Sequence, residues 1–95
     1  MDRSVRNHRG DILRLAGKHG IRNVRIFGSA ARGDDTIDSD LDVLVELEEG
    51  RSLVDHVAFK QDLEDLLEQE VDVVTEASLH PRIRERVLRE AVPLE

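Results

Sequence analysis

The stretch from Asp40 to Leu47 alternates strictly, and nothing else in the chain limits its possible folds as much. Leu41, Val43, Val45 and Leu47 share one face of the strand it predicts, while Asp40, Asp42, Leu44 and Glu46 share the other. A period of two with one apolar face demands a core on that side. The period then changes. Leu53, Val57, Leu63, Leu66 and Leu67 recur at helical spacing and predict a helix from Leu53 to about Gln69, with those side chains inward. Val71–Thr75 is apolar again and predicts another strand, interrupted by Asp72. A strand, a long helix and a further strand form the kernel of an α/β fold, with parallel or mixed pairing both open.

The remaining segments add to this kernel. Residues 3 to about 19 read as a helix carrying Val5, Ile12, Leu13 and Ala16 on one face, closed by Lys18, His19 and Gly20. Val24, Ile26 and Phe27 predict a strand over Asn23–Phe27 that stops at Gly28. Pro81 suits the first position of a last helix running to about Ala91, with Ile83, Val87 and Leu88 inward. The order is α-β-turn-β-α-β-α. It predicts an α/β (α+β) fold: a small mixed sheet of at least three strands with flanking helices, arranged as a two-layer sandwich. Strand order is not written in the pattern. With 95 residues, one domain spanning 1–95 is expected.

Composition removes several classes of function. The only aromatics are Phe27 and Phe59, so the core must be built of Leu, Val and Ile, and stacking platforms for single-stranded nucleic acid are missing. The net charge of −7, from 21 acidic and 14 basic residues, is opposite to that of a protein neutralising phosphates, so no direct nucleic-acid contact is expected. There are no cysteines, which removes disulfides, zinc–thiolate centres and thiol catalysis. No signal peptide or membrane span is visible, and a cytoplasmic protein without membrane contact is the expectation. The acidity is concentrated: residues 34–50 hold eight acidic residues and no base, and residues 61–76 hold seven and no base. Carboxylates gathered in this way suit hard divalent cations.

The chemistry-bearing stretch is Gly28-Ser29-Ala30-Ala31-Arg32-Gly33, followed after five residues by Ser39-Asp40-Leu41-Asp42. A strand that ends in Gly-Ser before a helical turn exposes backbone N–H groups to an anion, and the serine hydroxyl adds a donor. Arg32 could add a charge-assisted contact to phosphate or a brace to the loop. Asp40 and Asp42, two apart on a strand, project from one face, where they could bridge one or two Mg²⁺ ions. Asp72 would complete a three-carboxylate cluster if its strand lies beside theirs. Three carboxylates and a phosphate-binding turn are the equipment of two-metal phosphoryl or nucleotidyl transfer. Other motifs fail. Asp34 stands where a P-loop lysine would be, the EF-hand glycine and glutamate are missing, and His8, His19, His56 and His80 share no metal-ligand spacing.

At these residues the chain resembles the minimal nucleotidyltransferases, the smallest members of the DNA polymerase β-like nucleotidyltransferase superfamily. The resemblance runs closely from about Val24 to Val74 and implies the polymerase β-like fold. It implies that Gly28 and Ser29 hold the nucleoside triphosphate and that Arg32 occupies a motif position of open role. Asp40 and Asp42 would ligate two Mg²⁺ ions. Asp72 would complete one metal site and help deprotonate the acceptor hydroxyl. It further implies the antitoxin of a toxin–antitoxin pair, transferring AMP from ATP to a tyrosine hydroxyl of a partner HEPN-domain toxin, with which it would form a hetero-oligomer. Two alternatives stay open: an antitoxin that neutralises by binding alone, and a small-molecule nucleotidyltransferase completed by a partner chain.

Neighbouring polar residues read as structural. Ser39 caps the loop before Asp40, and Glu46 lies two pleats from Asp42. His56 and Lys60, one helical turn apart, read as a solvated face. Arg82, Arg84, Arg86 and Arg89 make the last helix basic, as an ordinary solvated face or as a docking surface for an acidic partner.

Overall fold

A computed structural model of the chain describes residues 3–32 and 40–94, without the side chains of Ser29 and Arg32. In chain order the elements are α1 (Arg3–Asn7), α2 (Arg9–Lys18), β1 (Ile21–Phe27), α3 (Ser29–Arg32), β2 (Leu41–Leu47), α4 (Leu53–Leu67), β3 (Val71–Thr75), a 3-10 turn (Glu76–Ser78), α5 (Pro81–Glu90) and β4 (Val92–Pro93). The four strands form one mixed sheet in the order β3-β2-β1-β4. Antiparallel pairing joins β2 to β1 and β1 to β4. The crossover through α4 makes β2 and β3 parallel.

The long helix starts where its sequence says it should. Ser52 accepts a hydrogen bond from the Val54 N–H (3.2 Å) and its own N–H donates to Asp55 Oδ2 (3.0 Å), a capping box. At the other end Glu68 closes α4 in the left-handed region, with φ 53°. The buried side of α4, Phe59, Leu63 and Leu67, packs with Ile12 and Ala16 of α2 and Val5 of α1 against Val24, Ile26, Leu41, Val43, Val45, Val71 and Val73 of the sheet. His19 adds a cross-link between α2 and α4: its Nε2–H donates to Asp62 Oδ2 at 2.6 Å, and its ring meets Phe59 edge-on at 6.4 Å between centroids.

Several details differ from the expected element order, and the sheet has one strand beyond the three placed in the sequence. The first helix is broken at His8, whose ring Nδ1–H donates to the Ser4 carbonyl at 2.8 Å and so competes for the oxygen that its own N–H would use alone. β1 begins two residues early because a bulge between Arg22 and Arg25, with Asn23 at φ 53°, inserts one extra residue. That insertion puts Ile21 on the same face as Val24 and Ile26, which a regular strand would forbid. A fourth strand, Val92–Pro93, pairs at the edge beside β1, a place where a proline can stand in a sheet.

Finally, the carboxylate face of the sheet is not simply the wet side of a two-layer sandwich. Leu44 is fully buried there with Leu79 and Val87, and Phe27, Val74 and Ala91 pack against them. α5 therefore roofs part of the second face through Val87. Ile83 and Leu88, expected inward, remain 37% and 36% exposed because the cluster beneath α5 is small. Among the described residues, no helix is long and apolar enough to cross a membrane.

Candidate active site

The sheet decides which acidic residues meet. β2 and β3 are parallel and in register, with Asp42 opposite Asp72. Alternation turns Leu41, Val43, Val71 and Val73 into the main core, so Asp42 and Asp72 emerge side by side on the opposite face. Asp40 lies one residue before β2, in phase with Asp42, and is exposed, as is Asp72; Asp42 is half-buried. On the other flank β1 ends opposite this point, with Phe27 paired to Asp42.

Gly28 follows at once, and its backbone fits no other residue well. Its φ is +73°, and a Cβ built there would lie 2.4 Å from Asp42 Oδ2. The Asp42 carboxylate thus rests against the backbone at the turn from β1 into α3. Ser29 and Arg32 begin and end α3, and their side chains lie outside what the structure describes. The rest of the motif, Gly33 through Ser39, also lies outside the described residues.

Asp72 is held from behind. β3 is an edge strand, and the backbone groups flanking Asp72 point away from β2. Val71 N–H donates to Glu64 Oε2 at 3.1 Å, and the Val73 carbonyl accepts from His56 Nε2–H at 2.6 Å. Lys60 pairs with the same Glu64 oxygen at 3.0 Å. The Val71 N–H first, and Lys60 second, hold the Glu64 carboxyl below its usual range. His56 and Lys60 are therefore not a merely solvated face. With Glu64 they clamp the strand that carries Asp72. The signal was present in the i,i+4 spacing of His56, Lys60 and Glu64, but only the position of β3 reveals what that row touches.

Positive charge borders the carboxylates on the side of α5. Arg25 shares their face beside Leu44, its Nε donating to the Asn23 carbonyl at 3.3 Å. Its Nη2, like Nε of Arg84 on α5, is buried without a hydrogen-bond partner among the described residues. Glu46 pairs loosely with Arg22 at 4.0 Å and stays apart from the aspartates.

Carboxylate oxygens are the donors that Mg²⁺ prefers, and Asp42 and Asp72 present two of them in register. Asp40 and Asp72 make no ion pair with any other described residue. Among the described residues, however, no three His, Asp or Glu side chains are drawn into one metal-holding group. The donor chemistry fits a hard divalent ion, with Asp42 and Asp72 as the pair the fold itself aligns.

A mixed sheet with two aligned aspartates next to a Gly-Ser turn matches what the resemblance to nucleotidyltransferases implies, and comparison with known proteins agrees. A solved structure assigned as a minimal nucleotidyltransferase superposes with a TM-score of 0.87 at 53% identity, over 98% of this chain and 96% of that one. The sequence profile of the nucleotidyltransferase domain matches residues 5–94. The chain belongs to this enzyme family, among its minimal nucleotidyltransferases. A Methanocaldococcus jannaschii protein, MJ0435, named for an inferred protein adenylyltransferase activity, is 48% identical over 85% of this chain and 87% of its own length. Protein adenylyltransferase MntA of Thermococcus cleftensis is 42% identical over 82% of this chain and 79% of its own. The fold also recurs, at 18% identity and a TM-score of 0.70, in a complex of a tri-AMPylated Shewanella oneidensis HEPN toxin with its MNT antitoxin, covering 95% of this chain and 71% of that one.

Proposed function

We propose that the chain is an antitoxin that transfers AMP from ATP to a hydroxyl of a partner HEPN-domain toxin, a tyrosine being the acceptor. The observation that carries this reading is the register of Asp42 with Asp72 beside Gly28. The relatives named protein adenylyltransferases and the toxin–antitoxin complexes of the same fold support it.

In this reading Asp40 and Asp42 would hold two Mg²⁺ ions and Asp72 would complete one of the sites. When bound, the ions neutralise triphosphate charge and acidify the attacking hydroxyl. Gly28 admits the triphosphate to the backbone, Ser29 donates to it, and Arg32 stands next in the motif. Asp72 accepts the proton of the tyrosine hydroxyl. The tyrosine oxygen then forms a bond to the α-phosphorus as the bond from that phosphorus to the bridging oxygen of the β-phosphate breaks, and pyrophosphate leaves. The chain acts as one domain, and the partner's surface closes over the bound nucleotide.

The test is a labelling reaction with the purified chain, Mg²⁺, α-labelled ATP and the co-expressed HEPN protein. Label is expected on the partner's tyrosine, lost on addition of EDTA, and reduced at least about 100-fold by Asp42→Ala or Asp40→Ala. Wild-type labelling by either variant overturns the metal assignment. An unlabelled but silenced partner would mean neutralisation by binding alone.

A further inference from the structure

Of the three aspartates assigned to the site, Asp72 alone is carried by an edge strand. β2, which holds Asp42 and follows Asp40, has a neighbour on each side, whereas β3 has β2 alone. β3 is also short, at 5 residues. Twist between adjacent strands varies over a range of about 25°, and a swing of about 20° about the strand axis moves an aspartate carboxylate by about 1 Å. Mg²⁺ takes its ligands at about 2.0–2.1 Å in a near-ideal octahedron, so a displacement of that size costs the ion a ligand.

The bonds that oppose such a swing come from α4. His56 donates through Nε2–H to the Val73 carbonyl at 2.6 Å, and Glu64 Oε2 accepts from the Val71 N–H at 3.1 Å. They grip the strand on both sides of Asp72. A carbonyl only accepts, so Nε2 carries a proton whether the imidazole is neutral or charged. Lys60, at 3.0 Å, steadies the Glu64 oxygen. Around Glu64 the helix is anchored in the main core by Phe59, Leu63 and Leu67. The start of α4 is not: Leu53 and Val57, expected inward, are 72% and 42% exposed. His56 stands in that loosely covered half, so its bond to Val73 ties the start of the helix to β3. Gly28 and Ser29 lie across β2 from this clamp, at the end of β1.

We propose that His56 and Glu64 are positioning residues for the transfer reaction. Through Val73 and Val71 they hold the Asp72 carboxylate where it and Asp42 can share one divalent cation. The inference rests on the reading above for the role of Asp72, and it separates two tasks within the site. The clamp governs the metal and the chemical step, while the turn at Gly28 governs nucleotide binding from the opposite flank.

The experiment removes each contact and then restores it. His56→Leu and Glu64→Met lose the donor and the acceptor; His56→Gln and Glu64→Gln supply an amide N–H and an amide oxygen in their place. Each variant is purified with the HEPN protein and assayed well below its own melting point. Mn²⁺ binding is followed by electron paramagnetic resonance with a non-hydrolysable ATP analogue present, and AMP transfer by the labelling reaction. Expected in His56→Leu and Glu64→Met are Mn²⁺ binding weakened about tenfold and kcat lowered about 10- to 100-fold. KM for ATP stays within about twofold, and the glutamine variants recover to within about threefold of wild type. Asp72→Ala has no carboxylate to place, so adding His56→Leu to it changes Mn²⁺ binding by less than about twofold. Leucine and methionine variants that behave as wild type, while Asp72→Ala is impaired, overturn the clamp and leave the transferase reading standing. A loss of Mn²⁺ binding that persists undiminished in the Asp72→Ala background also overturns it, because the effect then does not pass through Asp72. A wild-type chain that places no label on the HEPN protein, with Mn²⁺ binding that still depends on both His56 and Asp72, sustains the clamp and overturns the transferase reading.

Discussion

A methyl group at residue 28 would meet the Asp42 carboxylate at 2.4 Å in a backbone conformation that L side chains disfavour. Gly28→Ala should therefore cost about 1–2 kcal/mol and lower Tm by about 5–15 °C. It should also lower nucleotidyl transfer at least tenfold, because the shifted carboxylate is the one in register with Asp72. A melting curve and the labelling assay, run together, separate the two effects. Glu68 is the opposite case, a side chain held at φ 53° with no glycine to relieve it. Glu68→Gly should raise stability by about 0.5–1 kcal/mol. Single residues were the most legible scale of this chain. Gly28, Asp42 and Asp72 announce themselves as breaks in apolar strands. What Asp42 rests on was invisible, because contact across β1 and β2 depends on pairing register.

At the scale of elements, α4 carries two acid-sensitive anchors. Val71 N–H and Lys60 hold Glu64 below its usual range, and the Ser52 N–H, with Arg51, does the same for Asp55. A carboxyl depressed in the folded state contributes stability above its unfolded value, about 4.3 for Glu, and loses it as pH falls through the folded value. Tm should thus fall more steeply below about pH 4 in the wild type than in Glu64→Gln. Equal slopes would show that the β3 anchor does not titrate with folding. Ser52→Ala, which removes the cap itself, should cost about 1 kcal/mol at neutral pH in chemical denaturation.

Elements were legible where the period was clean. The alternation of β2 and the heptad-like spacing of α4 both resolve in place, whereas β1 and β4 hide for physical reasons. The Asn23 bulge breaks the period that identifies a strand, and a two-residue edge strand containing Pro93 carries no period at all. The inward reading of Leu53 and Val57 failed differently: helical spacing reveals an apolar face but not what covers it.

For the molecule as a whole, the largest fully buried side chain is Phe59. Phe59 is fully buried at the centre of the main cluster, in a chain with two aromatics. Phe59→Ala should cost about 3–5 kcal/mol, a large part of the roughly 5–14 kcal/mol available to a chain of this length. Calorimetry should show a variant largely unfolded near 40 °C. The clamp on β3 has a consequence at this scale as well. His56 and Glu64 occupy the outward carbonyl of Val73 and the outward N–H of Val71, groups that would otherwise help template another strand. Two of the outward groups of that edge are therefore already taken. The same two residues that steady Asp72 thus also make the free edge of β3 a poorer template for an incoming strand.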